Sequence, residues 1–298
     1  GALRTEATNF DVGQAAETVT VSDLSSLTVA PVNVTQVALG APTALPAGSI
    51  AMQGGDVLGV LNAADGTLWT TSASSPSPSN LAESAALASN MGASAFVTGE
   101  DGSVYSLSAS GTLTTVKHRG SVDETKTSQV AGISEDARLS MTVVGDQVVA
   151  LDAASNTLYL PGNKTLDLGA AGVESGGVLQ QAGPKDDSVL LATATSLVSI
   201  PLAGGRPSIT PAAEGAPSGI PAAPVRHEGC AYGAWSGSGA YVRSCKDPSS
   251  NKQMVVDTLT SAREVVFRTN RKAIVLNDVA QGSVWLPDSN MVLMDNWD

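Results

Sequence analysis

Short apolar and polar runs alternate along this chain, and one combination of runs occurs seven times. Each copy has an apolar strand, a polar turn rich in Asp, Asn, Gly or Ser, and a second strand that carries an aromatic residue in five copies. Short apolar runs bounded by turn residues are typical of β-hairpins. The chain therefore reads as a series of hairpins, which start at Val19, Gly59, Ala95, Val149, Leu191, Gly233 and Ile274.

The spacing of the hairpins predicts the fold. Equivalent positions in the second strands lie 36 to 54 residues apart, with a mean of about 43, and a four-stranded propeller blade takes roughly 40 to 50 residues. One blade cannot bury both faces of its sheet, whereas stacked blades can. We predict an all-β fold, a β-propeller of seven four-stranded antiparallel blades, or six if the N-terminal hairpin only completes the C-terminal blade. The equivalent positions are Val29, Trp69, Tyr105, Tyr159, Ile200, Tyr241 and Trp285.

We expect residues 1–298 to form one propeller domain that was excised from a longer chain. Hydrophobic residues make up 42% of the 298 residues and charged residues 15%, which is enough apolar material for a folded core. One Ala-rich segment, residues 80–93, is a candidate short helix. The aromatic residues that we expect to pack between blades are Trp69, Tyr105, Tyr159, Trp285 and Trp297.

The charge balance excludes some classes of partner. The chain has 28 acidic and 16 basic side chains and a formal net charge of -12, so it repels polyanions at long range. We therefore predict no nucleic-acid partner and no binding to an anionic lipid surface. The sequence has no apolar run of 18 residues and no basic start followed by an apolar stretch, so we predict neither a membrane span nor a signal peptide within it.

Two cysteines, Cys230 and Cys245, flank a Gly/Ser turn in "CAYGAWSGSGAYVRSC". A disulfide between them closes a loop of about 15 residues and contributes roughly 3 kcal/mol in the chain-entropy model. The alternative is a pair of buried free thiols. His227 is the one further metal-binding candidate nearby, and two Cys with one His are too few for a structural zinc site. A disulfide indicates an oxidising compartment and an exported protein.

Residue patterns for catalysis and cofactor binding are scarce. The chain has two histidines, no G-x-S-x-G and no glycine-rich phosphate loop. "NAADGTLW" and "GEDGSVY" are better explained as hairpin turns than as calcium loops. A glycosidase needs paired carboxylates, for which the candidates are Asp186 with Asp187 and Glu135 with Asp136. We interpret both pairs as solvated surface, and we expect no enzyme activity, no metal and no cofactor.

The longest step between repeats, from Tyr105 to Tyr159, holds the charged segment "KHRGSVDETKTSQ" at residues 117–129. An insertion at this position is our candidate for a partner-facing loop, and a plain solvated connection is the alternative. The candidate contact residues are Lys117, His118, Arg119, Asp123, Glu124 and Lys126.

Three stretches carry a resemblance to a known family: "NDVAQGSVWLPDSNMVLMDNWD", the cysteine hairpin quoted above, and "VTVSDLSSLTV". Together they resemble the extracellular propeller region of large actinobacterial surface proteins that carry fibronectin type III or Ig-like domains. The resemblance implies a propeller ectodomain on the extracellular face of the membrane, held by a single-pass anchor outside this chain. It also implies a role in adhesion or wall interaction and no catalytic residues.

We therefore predict a non-catalytic binding or scaffolding module on the cell surface. We expect a monomer whose partner is a protein or a cell-envelope glycan. Two enzyme classes are alternatives. One is a glycan-active hydrolase or lyase with carboxylates in the propeller funnel. The other is a quinone-dependent propeller enzyme, because "AADGTLW" resembles the Trp-containing repeat of the quinoproteins.

Overall fold

A computed structural model describes residues 10–15, 18–62, 65–76, 95–119, 122–215, 218–270 and 273–294. The candidate helix at residues 80–93 and Trp297 lie outside these ranges. The chain divides into two compact units, Gly1–Leu139 and Ser140–Asp298. The prediction of a single domain over residues 1–298 stays a prediction.

Twelve described strands precede residue 139 and form three antiparallel sheets, which we call blades 1 to 3. Blade 1 contains β1 (Phe10–Ala15), β2 (Thr18–Asp23), β3 (Thr28–Asn33), β4 (Ala38–Leu39) and β5 (Thr43–Ala44). Blade 2 contains β6 (Ser49–Gly54), β7 (Val57–Asn62) and β8 (Thr67–Ser72). Blade 3 contains β9 (Ala95–Thr98), β10 (Val104–Leu107), β11 (Thr112–Arg119) and β12 (Val122–Gln129).

Four further antiparallel sheets, blades 4 to 7, follow in the chain. Blade 4 contains β13 (Leu139–Val144), β14 (Gln147–Asp152), β15 (Thr157–Leu160) and β16 (Lys164–Asp167). Blade 5 contains β17 (Val178–Leu179), β18 (Ser188–Ala192), β19 (Ser196–Pro201) and β20 (Ser208–Pro211). Blade 6 contains β21 (Ile220–Pro221), β22 (Val225–His227), β23 (Cys230–Ser236), β24 (Ala240–Cys245) and β25 (Lys252–Val255). Blade 7 contains β26 (Val265–Asn270), β27 (Ala273–Asp278), β28 (Val284–Leu286) and β29 (Val292–Met294).

These seven consecutive sheets form a seven-bladed β-propeller of antiparallel, four-stranded blades, of which blade 2 has three strands within the described residues. Blades 1 and 6 have a fifth strand because one strand position is split in two: β4 and β5 both pair with β3, and β21 and β22 both pair with β23. The six-blade alternative is wrong, because the N-terminal strands form a sheet of their own. The described helices are 3-10 turns at Pro248–Ser250, Asp257–Leu259 and Pro287–Ser289. In the described part of the chain no helix has the length and hydropathy to cross a membrane.

The hydrophobic core consists of separate layers between neighbouring blades of the same unit. One layer joins blades 4 and 5, another joins blades 5 and 6, and the largest joins blades 6 and 7. Strand β18 is buried over its whole length, as expected for a strand that has a blade on each side. The apolar residues of the repeat therefore form the core, since each sheet buries them against the next sheet.

Where the structure describes them, the aromatic positions of the repeat are buried or half-buried, and Trp69 and Trp285 lie in layers between blades. Tyr105, Tyr159 and Trp285 are buried, and Trp69 is half-buried against the layer between blades 1 and 2. The indole N–H of Trp285 donates to the Thr258 hydroxyl at 2.9 Å, which satisfies the polar end of a buried Trp.

Candidate functional site

The predicted partner segment forms a β-hairpin. Strands β11 and β12 have eight residues each and pair from Thr112 opposite Gln129 to Arg119 opposite Val122. The described part of the segment thus lies in two regular strands, which corrects the expectation of a loop. Threonine recurs along both strands and each contains one valine, and β-branched residues favour strands. Its role in partner binding stays a prediction.

The hairpin brings the predicted contact residues together near its tip. The register places Lys117 opposite Glu124 and His118 opposite Asp123. Lys126 lies two residues after Glu124 on β12, so both occupy the same face of the strand. For three of the six residues the structure describes the backbone alone, namely His118, Arg119 and Asp123.

The two strands of the hairpin differ sharply in burial. On β11, Thr114 and Val116 are buried, and Val116 packs in the layer between blades 2 and 3. On β12 every residue from Thr125 to Gln129 is exposed. Successive side chains of a strand point to opposite faces, so this part of β12 is open to solvent on both faces. The hairpin therefore has one strand anchored in the blade and one strand that forms its edge.

The base of the hairpin is held by backbone and amide groups. The N–H of Val130 donates to the carbonyl of Gly111 at 2.8 Å, and the Gln129 side-chain amide donates to the carbonyl of Ser110 at 2.6 Å. Gly111 has a φ of 82°, which a glycine adopts without steric cost. These contacts position β12 without any contribution from its charged residues.

The charged residues of β12 form an exposed ion pair. Lys126 Nζ lies 2.9 Å from Glu124 Oε1, and the two side chains are 71% and 37% exposed. An exposed pair of this kind contributes little to folding, because solvent screens the attraction. Both charges are accordingly accessible to a partner.

A nearly buried charge cluster joins blades 5 and 6. Arg226 on β22 lies with Nη2 3.5 Å from Asp186 Oδ1 and donates to the Ser188 hydroxyl at 2.5 Å. Asp186 also accepts the backbone N–H groups of Asp187 at 2.9 Å and Ser188 at 3.2 Å. Burial by itself raises the pKa of Asp186, but Arg226 and the hydrogen bonds outweigh it and lower the pKa below 3.8.

This cluster bears on the glycosidase alternative. A general acid in a glycosidase needs a raised pKa, whereas the pKa of Asp186 is lowered and its carboxylate already accepts several hydrogen bonds. The other candidate pair, Glu135 and Asp136, lies in an exposed turn. The Asp136 N–H there donates to the Ser134 hydroxyl at 3.1 Å. Asp186 therefore does not suit the role of the general acid, and the second pair is solvated surface.

The two suspected calcium loops are hairpin turns. Asp65 accepts the N–H of Thr67 at 2.9 Å, and Asp101 accepts the N–H and the hydroxyl of Ser103 at 2.9 and 2.8 Å. Gly66 and Gly102 follow these aspartates with φ values of 71° and 77°. The carboxylates are thus occupied by their own turns, and no cluster of three potential metal-binding side chains occurs among the described residues.

Cys230 and Cys245 form a disulfide with an S–S distance of 2.02 Å. They lie opposite each other in the register of β23 and β24, at the end of the hairpin away from its Gly/Ser turn. His227, the further metal-binding candidate, is buried on β22 opposite Cys230. The alternative of two free thiols is wrong, because the sulfurs are bonded to each other.

Two tyrosines of blade 6 hold the 3-10 turn Pro287–Ser289 of blade 7. The Tyr232 hydroxyl donates to Asp288 Oδ1 at 2.9 Å, and the Tyr241 hydroxyl donates to the carbonyl of Pro287 at 3.2 Å. Burial first, and then Asp288, raise the pKa of Tyr232, so its phenol remains a neutral donor. The contacts are structural, since each hydroxyl is committed to a partner within the protein.

Residue patterns in the sequence did not reveal the Arg226 cluster or the tyrosine contacts. The partners lie 40 and 56 residues apart along the chain, about one repeat or more. The one signal in the sequence is that the partners are separated by about the length of a repeat or more. Neighbouring blades place equivalent positions of the repeat side by side.

No family model matches the chain, and no curated protein matches it. Solved structures match over nearly the whole chain. BamB from Moraxella catarrhalis is 13% identical with a TM-score of 0.51, over 96% of this chain and 83% of that one. The Pan2 WD40 domain of Neurospora crassa is 10% identical with a TM-score of 0.52, over 91% and 85%. Hydrazine synthase from Kuenenia stuttgartiensis is 11% identical with a TM-score of 0.51, over 100% and 99%. At these identities the matches show the propeller fold alone.

Proposed function

We propose that this chain is a non-catalytic protein-binding or scaffolding module that contacts its partner through β12. The observation that carries the proposal is the edge strand itself, which has eight residues and is exposed on both faces from Thr125 to Gln129. An exposed edge strand is a ready template for pairing with another polypeptide. Propellers such as BamB and WD40 domains are often protein-binding or scaffolding modules.

A protein suits this edge better than a glycan does. The outer edge of a strand offers N–H and C=O groups at a regular spacing, and a second backbone matches that spacing along its whole length. Small-molecule sites are instead concave clefts, which an exposed edge strand does not form. The proposed partner is therefore a polypeptide with an extended segment.

The proposed location is the extracellular face of the cell membrane, with the anchor in a segment outside this chain. The disulfide supports an oxidising environment, and the resemblance to actinobacterial surface proteins supports the membrane anchor. Free-thiol titration of the denatured protein checks the first point. We expect no free thiol before reduction and two afterwards, whereas two free thiols in protein purified from its native compartment would contradict export.

Site-specific photo-crosslinking tests the binding role. A photoreactive p-benzoylphenylalanine replaces Thr127 on β12, and in a matched control it replaces Ile209, which is also exposed on an outermost strand, β20. The labelled proteins are irradiated with native envelope proteins, and the adducts are identified by mass spectrometry. We expect a discrete adduct from position 127 and none from position 209.

Equal adducts at both positions, or none at position 127, would overturn the proposal. The glycan-active alternative is tested in parallel on cell-envelope polysaccharides. Release of reducing ends by the purified protein would favour an enzyme and remove the non-catalytic assignment.

A further inference from the structure

Strand β12 has an open edge of unusual length. In the order β12-β11-β10-β9 it is terminal, and among the strands that the structure describes it pairs with β11 alone. The outermost strands of blades 4, 5 and 6 have four residues each, and that of blade 7 has three. Proteins prevent edge strands from pairing by keeping them short, by proline, or by charged side chains such as Lys. Strand β12 has eight residues without Pro or Gly, so its charges are the one such device that it contains.

The charges of β12 make the strand complementary to itself. Glu124 and Lys126 lie on the same face, one residue on either side of Thr125. If a second copy pairs antiparallel about a two-fold axis at Thr125, Glu124 lies opposite the partner's Lys126, and Lys126 lies opposite the partner's Glu124. Opposite charges directly across a pair of strands are stabilising. The symmetry makes this contact twice.

The neighbouring symmetric registers are unfavourable. A two-fold axis perpendicular to the sheet keeps each side chain on its own side of the sheet, so directly opposed residues must have side chains on the same side. The axis therefore passes through a residue position, and the next possible register moves it to the adjacent residue. An axis at Glu124 places the two glutamates opposite each other, and an axis at Lys126 does the same for the lysines. Like charges directly opposite destabilise a sheet. The axis at Thr125 joins seven of the eight residues, Val122 to Ser128, with opposite charges facing.

Pairing of two β12 strands breaks few stabilising contacts within each chain. The exposed contact between Lys126 and Glu124 at 2.9 Å contributes weakly to folding, and both groups regain an opposite charge across the interface. The threonines at 125 and 127 suit a strand. The hairpin base at Gly111 and Val130 already holds β12 in an extended conformation, so little chain order remains to be imposed.

We propose that two copies of this chain pair antiparallel along β12 about a two-fold axis at Thr125, which joins the two blade 3 sheets into one continuous sheet. This inference rests on the proposed role of β12 in protein binding and names the partner as a second copy. It replaces the expectation of a monomer. Because a seven-residue edge buries a small area, the association is reversible and depends on concentration.

Cysteine trapping tests the register directly. Directly opposed residues in an antiparallel pair have Cα atoms about 4.5–5.5 Å apart, which is within the range that a disulfide spans. Thr125→Cys therefore meets its own copy at the axis, whereas Thr127→Cys faces position 123. The native cysteines are already bonded to each other. Under mild oxidation we expect disulfide-linked dimers from Thr125→Cys and little from Thr127→Cys. Equal trapping at both positions would overturn the register.

Sedimentation equilibrium at about 0.15 M salt tests the charge pairing. Lys126→Glu and Glu124→Lys each replace two attractive contacts per dimer with repulsive ones, so we expect about tenfold weaker self-association. The double exchange Glu124→Lys with Lys126→Glu restores both attractive contacts, and we expect a dissociation constant within about twofold of wild type. Wild-type protein that stays monomeric up to about 1 mM would overturn the proposal.

A control variant must distinguish the loss of charge pairs at β12 from repulsion between chains of higher net charge. Lys252→Glu on the edge strand β25 changes the formal net charge from -12 to -14, as Lys126→Glu does. We expect Lys252→Glu to self-associate as wild type, and an equal loss in both variants would assign the effect to net charge. The outcomes also separate this inference from the proposed function. A β12 adduct with another protein, in a chain that does not self-associate, would support partner binding and overturn self-pairing.

Discussion

The ion pair on the edge hairpin of blade 3 and the ion pair between blades 5 and 6 differ in solvent exposure, and this difference does not follow from the distance between their charges. Lys126 and Glu124 approach to 2.9 Å, whereas Arg226 and Asp186 lie 3.5 Å apart. The first pair is solvated, while the side chains of the second are 11% and 12% exposed. Burial therefore decides their roles. The buried pair is part of the fold, and the exposed pair is available for recognition.

The same contrast holds for the regions around the two pairs. Between blades 5 and 6, Trp235 is fully buried and its indole N–H donates to the carbonyl of Thr193 at 2.6 Å. A Cβ at Gly233 would lie 2.7 Å from the Trp235 ring, so the packing there tolerates no added atom. On β12, by contrast, five successive residues are exposed. Substitutions should accordingly affect stability in the first region and association in the second.

The largest expected effect is that of Trp235→Ala. The change removes a buried ring and leaves the carbonyl of Thr193 without its donor, so we expect a loss of about 4 kcal/mol in the free energy of unfolding. Urea denaturation followed by circular dichroism measures it. Trp69→Ala, at a half-buried position of the repeat, is the matched control and should lose less. Equal losses would show that burial does not separate the two sites.

Arg226→Leu should follow, with a loss of about 3 kcal/mol, because it leaves the nearly buried carboxylate of Asp186 without its counter-charge. Adding Asp186→Asn should recover part of the loss, since the amide has no charge and its oxygen still accepts the Ser188 N–H. Urea denaturation of the single and double variants checks this. A double variant that is less stable than Arg226→Leu alone would contradict the explanation.

Acid should weaken the buried pair selectively. The folded-state pKa of Asp186 is lowered from 3.8, so its contribution to stability is present above about pH 3.8 and is lost as the pH falls towards the folded-state value. In Arg226→Leu burial raises the pKa of Asp186 without the opposing charge, so we expect the difference in stability between wild type and this variant to be constant near neutral pH and to shrink once the pH is low enough to protonate Asp186 in the variant. Thermal unfolding across this range measures it. A difference that grows in acid would contradict the assignment.

The smallest effect on stability should come from Lys126→Ala. Its partner is exposed and solvent screens the attraction, so we expect a change of less than about 0.5 kcal/mol in the free energy of unfolding. The same variant should weaken self-association measurably, because each dimer loses two cross-strand charge pairs. If instead Lys126→Ala lowers stability as much as Arg226→Leu, the distinction between the two regions fails.

Much of the fold could be predicted from the sequence because the signal is local and repeated. The turns at Asp65 and Asp101 follow from Asp-Gly pairs that cap their own hairpins, and the apolar strands around them have the length of blade strands. The hairpin β11–β12 was harder to recognise. Its charged residues suggested a loop, although threonine and valine along β12 favour a strand.

The position of the candidate site in the chain could be predicted from the sequence, but its secondary structure and its exposure to solvent could not. The long step between Tyr105 and Tyr159 located the segment, yet a step length does not distinguish a loop from an edge strand. The exposure of β12 on both faces depends on what the rest of blade 3 covers, which no pattern within eight residues contains. The buried pair of Arg226 and Asp186 was missed for a related reason, because its two charges come from different blades.

The sequence by itself determined the repeat, the number of hairpins and the placement of two cysteines across one turn, because hydrogen bonding and apolar alternation act between near neighbours in the chain. Only the tertiary structure decided which charges are buried and which remain at an edge. The physical reason is that solvation of a charge depends on the blades packed around it. In this protein that difference separates the charge pair that packs between two blades from the one that we propose joins two copies of the chain.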